Sequence, residues 1–251
     1  MKILVTAGNT LVPIDRVRGI TNIFTGRTGA SIAVCGHDHG HDVTLLTSHP
    51  DLVGDFVAQG RGPWHERWAV QPFATFADLQ KLMSEAVQGG SFDAVIHSAA
   101  VSDYQSAGIY APVAGTHFRP EQGAWAGADG TPPRLVDRTA AKVKSDAPEL
   151  WLRLVRTPKL VDQIRTEWRF GGVLVKFKLE VGVSEKRLLE IAEKSREQSE
   201  ADLMVANTLE GAATWAYIGP LLGRYERSPR RLLAERVMQA VENAHRERTH
   251  G

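Results

Sequence analysis

A single cysteine, Cys35, is all that this 251-residue chain offers to disulfide chemistry. That count excludes an internal disulfide framework and a cysteine-only metal cage, and it fits a reducing cytosol. An excess of charge of one sign is missing as well. The 30 Lys and Arg against 29 Asp and Glu leave a formal net charge of +1, which gives no electrostatic footprint for nucleic acid or a polybasic membrane site. No apolar run approaches the roughly 20 residues of a membrane helix. The N-terminal MKILVTAG holds only about five apolar positions before a glycine, too few for a signal-peptide core, and reads as a buried first strand. A soluble, cytoplasmic protein without nucleic-acid or membrane partners is expected, long enough to bury a substantial core.

What is there is an alternation. Short apolar, β-branched runs at Lys2–Thr6, Asp42–Leu46, Ala69–Pro72, Ala94–His97, Val173–Phe177 and Leu203–Ala206 read as strands. Longer helical patterns separate them, so the fold class is α/β, a mainly parallel sheet with helices on both faces. Phe76, Leu79, Leu82, Met83, Ala86 and Val87 make Thr75–Gln88 an amphipathic helix. Ser184 caps a second, and Ser228-Pro229 reads as the start of the last. Two stretches break the rhythm: a long glycine-bearing connection over 8–26, and residues 105–141, rich in Gly, Pro and Ala, which read as a long loop or lid on a single domain spanning 1–251.

Gly8 directly follows the first strand, where the backbone must turn and amides can face an anion. A dinucleotide fingerprint would need glycines two and five positions on, but Thr10 and Pro13 stand there. The second strand ends in Thr47-Ser48 rather than near an acid for a ribose, and no tyrosine has a lysine four residues on. NAD(P)-dependent hydride transfer therefore survives only as a fold-level analogy. A second glycine pair, Gly26 and Gly29 in Thr25-Gly-Arg-Thr-Gly29, opens a helix carrying Ala30, Ile32, Ala33 and Val34. Phosphate could approach the free amides there, or the glycines could only allow close helix–sheet packing.

Six stretches in order resemble the phosphopantothenoylcysteine synthetase family. They are Ile3-Leu-Val-Thr-Ala-Gly8; Pro13-Ile-Asp15-x-x-Arg18 with Ile20-Thr-Asn22 and Thr25-Gly-x-x-Gly29; Ser98-Ala99-Ala100-Val101-Ser102-Asp103-Tyr104; Lys142-Val-Lys144 with Thr157-Pro158; Lys176-Phe177-Lys178-Leu-Glu180; and Ala201-Asp-Leu-Met-Val-Ala206-Asn207. The resemblance implies a Rossmann-like three-layer fold, a homodimer, and a stand-alone form without a decarboxylase domain. It implies a ligase of coenzyme A biosynthesis that joins 4′-phosphopantothenate to L-cysteine, using CTP or ATP with Mg2+.

The resemblance also implies roles. Asn22 would lie beside an acyl-nucleotidylate intermediate, where an amide can donate a hydrogen bond without attacking the anhydride. Lys142 would act with it in catalysis, and Lys144 on the phosphates, as mobile point charges. Gly8, Gly26, Gly29, Ala99, Ala100, Asp103, Phe177 and Lys178 would contact the nucleotide. Asp15, Arg18 and Asn207 would contact substrate, although Asp15 and Arg18 can equally pair with each other across their loop. The family's first motif, Gly-Gly/Pro-Thr-x-Glu-Pro, is here Gly8-Asn9-Thr10-Leu11-Val12-Pro13, which permits a divergent paralogue or sensor with another acid substrate. His37, His39 and His41 alternate with Gly and Asp in the manner of a metal tract, yet fall on a helix–strand turn. Cys35 belongs with the apolar side of its helix.

Overall fold

The computed structural model describes residues 1–58 and 66–250. In chain order the strands begin with β1 (Lys2–Ala7), β2 (Leu11–Pro13), β3 (Gly19–Thr21), β4 (Asp42–Thr47), β5 (Trp68–Pro72) and β6 (Ala94–His97). They continue with β7 (Tyr104–Pro112), β8 (Thr116–Arg119), β9 (Ala124–Gly127), β10 (Leu135–Asp137) and β11 (Trp151–Arg156). The last are β12 (Val173–Glu180), β13 (Leu203–Thr208), β14 (Trp215–Leu221) and β15 (Arg224–Pro229). The helices are α1 (Arg27–Asp38), α2 (Asp51–Ala58), α3 (Phe76–Gly89), α4 (Leu160–Thr166), α5 (Glu185–Gln198) and α6 (Leu233–His250).

These elements form two compact units. The first comprises Met1–Thr10, Ile23–Val101 and Lys159–Gly251. Its sheet runs β15-β14-β13-β12-β6-β1-β4-β5, parallel from β5 to β13 and antiparallel at the β14–β15 edge. β1 is central because Ile3, Leu4 and Val5 are apolar in succession and can be buried on both faces. Ile3 and Val5 pack with Ile32 and Ala33 of α1 and Val237 and Met238 of α6. Leu4 packs on the other face with Leu79 and Met83 of α3 and Ile164 of α4. Farther along the sheet, Leu188 and Ala192 of α5 cover Met204 and Ala206 of β13. This is a three-layer, doubly wound α/β unit. The strand order reverses between β1 and β6, the position at which such sheets open a crevice at their carboxyl ends.

α3 starts where its sequence provides a capping box: Thr75 accepts from the Asp78 amide, while Asp78 accepts from the Thr75 amide. The last helix starts later than Ser228-Pro229 suggests. Ser228 is buried and paired with Ala216, Pro229 pairs with Trp215, and both close β15. A 3-10 turn over Arg230–Leu232 then leads into α6. The proline there ends a strand, which its φ of −61 permits as readily as a helix start.

The second unit comprises Leu11–Asn22 and Ser102–Pro158. The stretch 105–141, expected as a loop, carries most of its strands. β7 pairs antiparallel with both β10 and β11, and β8 pairs with β9. Apart from the nine-residue β7, the strands of this stretch are three or four residues long, and few of their residues are fully buried, so they lack the alternation by which a half-buried strand announces itself. Phe118, Trp125 and Trp151 stack around one another with ring centroids 4.5–5.3 Å apart, a small aromatic core. The glycine-bearing connection over 8–26 likewise contains a hairpin, β2–β3.

Candidate functional site

In the first unit three strand ends converge on the start of α1. Gly8, directly after β1, has φ +94, and a Cβ there would lie 2.1 Å from Ser48 Oγ at the end of β4. Gly26 caps α1 in the left-handed region at φ +86, and a Cβ there would meet the Gly8 nitrogen at 1.9 Å. A Cβ on Gly29 would meet Ser98 Oγ, just past β6, at 2.2 Å. The two glycine motifs are thus one object: the turn after β1 is pressed against the helix N-terminus, and each glycine is required by the approach of the other segments.

Hydrogen bonds fix this turn. The Ala100 amide donates to the Gly8 carbonyl at 2.8 Å, and the Ala99 amide to Thr6 Oγ1 at 3.2 Å. Ser98 Oγ donates to the Thr6 carbonyl at 2.6 Å, and the Asn9 amide donates to Ser48 Oγ at 2.9 Å. Arg230 donates to Thr28 Oγ1 in the first turn of α1; burial pulls the Arg230 pKa below its ordinary value. The result is a rigid rim of backbone and small hydroxyls carrying positive helix-end potential, suited chemically to an anionic group.

Farther along the same sheet, Phe177 and Asn207 belong to one face. Phe177 packs with the cluster containing Val5 and Ile32, and the parallel register pairs Phe177 with Val205 and Leu179 with Asn207. Lys178 alternates to the opposite face, where its Nζ lies 3.0 Å from Glu180 Oε1. Lys176, on that face too, is buried and donates to Ser195 O and Ser199 Oγ, both at 2.8 Å. Burial pulls its pKa down to about 8. The Lys-Phe-Lys motif therefore divides between two faces of the sheet.

The second unit holds Asp15, Arg18, Asn22, Asp103, Lys142 and Lys144. Asp15 and Arg18 do pair, with Arg18 Nη2 2.6 Å from Asp15 Oδ2, but the pair also grips a third partner. The Val143 amide donates to Asp15 Oδ2 at 3.0 Å, and Arg18 Nη2 donates to the Val143 carbonyl at 2.9 Å. Asp15 Oδ1 accepts the Val17 and Arg18 amides, both at 2.8 Å. The Arg18 guanidinium, followed by the Val143 and Val17 amides, holds the Asp15 carboxyl well below the usual carboxylate range. Val143 is only 3% exposed, while Lys142 and Lys144 on either side of it are exposed. One peptide unit is held at both its N–H and C=O, and the flanking lysines are presented to solvent. Asn22, exposed, ends the segment that supplies this clamp. Asp103 is exposed at the entry to β7, and Thr157 tethers that entry: its amide donates to Asp103 O at 3.0 Å and its Oγ1 to Ser102 O at 2.7 Å.

Within each unit, then, the motif residues gather: Gly8, Gly26, Gly29, Ala99 and Ala100 around one turn, and Asp15 and Arg18 around Lys142 and Lys144. Sequence reasoning passed over Val143 and Ser48. An apolar residue between two lysines was the available sign for the first. Ser48 carried no sign beyond its place after a strand.

The family model of the DNA/pantothenate metabolism flavoprotein C-terminal domain matches residues 1–111. The coenzyme A biosynthesis bifunctional protein CoaBC of Thermococcus kodakarensis is 30% identical over 249 residues, covering 96% of this chain and 51% of that protein. The CoaBC protein of Methanocaldococcus jannaschii is 24% identical over 208 residues, covering 83% of this chain and 40% of its own. The chain thus spans about half the length of these curated relatives, or less. The crystal structure of the DNA/pantothenate metabolism flavoprotein from Streptococcus pneumoniae matches with a TM-score of 0.74 at 28% identity, covering 97% of this chain and 99% of that one.

Proposed function

We propose that the chain acts as a phosphopantothenoylcysteine synthetase, joining 4′-phosphopantothenate to L-cysteine at the expense of CTP or ATP; its residues 1–111 match the DNA/pantothenate metabolism flavoprotein C-terminal domain model, and nearly its whole length matches half of a CoaBC protein. The observation that carries this reading is the double clamp on Val143, which presents Lys142 and Lys144 together. Two ammonium groups held side by side suit a triphosphate whose charge moves toward departing pyrophosphate.

A carboxylate is a poor acyl donor at neutral pH because its leaving group would be oxide. In the proposed reaction the phosphopantothenate carboxylate attacks the nucleotide α-phosphorus and pyrophosphate leaves. The cysteine amine then attacks the acyl carbon, the nucleoside monophosphate leaves, and the amine gives up its proton. Asn22 donates from its amide to the acyl phosphate, and Lys142 stabilises the charge passed to pyrophosphate. Gly8, Gly26, Gly29, Ala99 and Ala100 supply backbone against which a nucleotide can lie, with Phe177 as an aromatic wall. Asp103, Lys144 and Lys178 serve as polar nucleotide contacts, and Asn207 as a substrate contact. Asp15 and Arg18 serve through their hold on the lysine segment.

Magnesium would enter with the triphosphate and neutralise part of its charge. Among the described residues, no cluster of ligating side chains includes a motif carboxylate. Such an ion would be held chiefly by phosphate oxygens and water, which is magnesium's habit. A homodimer belongs to the same reading, and Leu135, Val136 and Leu154 are apolar residues left exposed on β10 and β11. No helix among the described residues is long and apolar enough to cross a membrane.

The altered first motif favours one other reading, a paralogue with a different acid. Leu11 and Val12, near where the family has an acid, form β2, and Val12 is buried in the hairpin. Pyrophosphate release across the four nucleoside triphosphates, with and without phosphopantothenate and cysteine, separates these readings. Release that requires phosphopantothenate is expected with CTP or ATP. No release with any nucleotide overturns the ligase.

A further inference from the structure

At the far end of α1 from the glycine turn, roughly 18 Å along a 12-residue helix, α1 ends in a tight cap. Gly40, at φ +86, occupies the left-handed position. Its amide donates to His37 O at 2.8 Å, and the His41 amide donates to Gly36 O at 3.1 Å. This double closure fixes His39 at the cap and His41 two residues on. Both rings face α6. One carboxylate oxygen, Glu242 Oε1, lies 2.8 Å from His39 Nδ1 and 2.9 Å from His41 Nε2. The other ring nitrogen of His39 lies 3.0 Å from Glu235 Oε2, and Glu235 is in turn held by Gln239 Nε2 at 2.7 Å. Glu235, Gln239 and Glu242 recur at i, i+4 and i+7 on one face of α6.

We propose that His39 Nδ1, His41 Nε2 and Glu242 form a binding site for a zinc-class divalent cation, with Glu235 orienting His39 from behind. Two imidazoles and a carboxylate are a recurrent three-ligand set for zinc, completed by water. The three ligand atoms lie within 4.8 Å of one another. Around a tetrahedral ion they would stand roughly 3.3 Å apart, so Glu242 Oε1, at 2.8 and 2.9 Å from the two nitrogens, would withdraw by about half an ångström, and the two nitrogens, within 4.8 Å of each other, would adjust to that spacing. The side chains are 25%, 14% and 26% exposed, which leaves room for a water and a path for the ion. Glu235 behind His39 is the outer carboxylate that metal-bound histidines commonly have, and it selects the tautomer that frees Nδ1. The two carboxylates balance the ion's charge. The Met1 nitrogen lies 3.5 Å from His41 Nδ1, on the side of that ring away from the proposed ion. Without the ion the same groups hydrogen-bond to one another, so zinc and protons compete for them. The ion would tie α6 to the α1–β4 turn.

A competing set, Cys35, His39 and Glu235, shares His39. Cys35 is 5% exposed, and its thiol donates to Glu235 at 3.4 Å. The test is a zinc titration of tag-free, chelator-stripped protein against a chromophoric chelator, with folding followed by circular dichroism. One equivalent should bind and raise the thermal midpoint. His41→Ala and the near-isosteric Glu242→Gln should each weaken binding by about a hundredfold or more, and Glu235→Gln by on the order of ten- to a hundredfold. Cys35→Ser should leave it unchanged, and the cobalt form should lack a thiolate charge-transfer band. Less than one equivalent bound, folded Glu242→Gln or His41→Ala binding as tightly as wild type, or loss of binding in Cys35→Ser would overturn the proposal.

Discussion

Replacing Gly26 by alanine isolates the contact on which the glycine turn depends. The new methyl group would lie 1.9 Å from the Gly8 nitrogen, 2.5 Å from its Cα and 2.9 Å from the Ala7 carbonyl carbon. These are backbone atoms, and they cannot rotate away. The left-handed φ of +86 costs an alanine about 1–2 kcal/mol, and forcing an extra carbon into a packed site costs about 1–3 kcal/mol more. A total of about 2–5 kcal/mol corresponds to a fall of roughly 4–20 °C in thermal midpoint for a chain of this size. Gly223 supplies the control. Its φ is +81, nearly that of Gly26, but nothing lies within 4 Å of a Cβ built there. Gly223→Ala should show only the conformational part, about 1–2 kcal/mol. Urea and thermal unfolding of both variants, monitored by circular dichroism, give the difference. If Gly26→Ala proves no less stable than Gly223→Ala, the turn and the helix start are not pressed together and the assembled rim is wrong.

Asp15→Asn should weaken the hold on Val143 and lower kcat/KM for pyrophosphate release by on the order of a hundredfold, the effect of misplacing a catalytic group by an ångström, while unfolding of the whole chain changes little. Because the Asp15 carboxyl is held below its ordinary range, its stabilisation is present above the unfolded-state value and disappears only as pH falls through the lowered one, so the clamp should persist in mild acid. Asn22→Asp should still bind substrates but lose on the order of a hundredfold in turnover, the cost of removing one donor from a developing charge; full activity in that variant would remove Asn22 from the mechanism. His97 is pushed down to about 4 by burial and by Lys176. Its neutral form therefore stabilises the fold above the unfolded value of 6.5, and that contribution, about 3 kcal/mol, is lost between 6.5 and 4. Denaturant titrations at several pH values should show this loss, and a folded His97→Gln variant should flatten it.

The large sheet was legible because its central strands are buried on both faces, and burial on both faces demands unbroken apolar runs such as Ile3-Leu-Val and Val173-Leu-Val. The starts of α3 and α5 were legible because Thr75 and Ser184 cap them through neighbours three residues away. The second unit was not. Few of its strand residues are fully buried, and their pairing rests on cross-strand contacts and a small aromatic cluster rather than on local pattern. The C-terminal helix was placed too early because Ser-Pro serves a strand end as well as a helix start.

For the candidate site the division follows sequence distance. The sequence alone named the residues proposed to carry the chemistry: Gly8, Gly26 and Gly29 as the glycine pair of turns, Lys142 and Lys144 as paired cations, Asp15 and Arg18 as an ion pair three residues apart. Only the tertiary structure decided what that ion pair is for, because Asp15 meets Val143 across 128 residues. It alone brought Glu242 to His39 across 203 residues. Local pattern records what neighbours along the chain require of one another. Partners that distant leave no period or spacing, and their meeting is set by how the helices and strands pack.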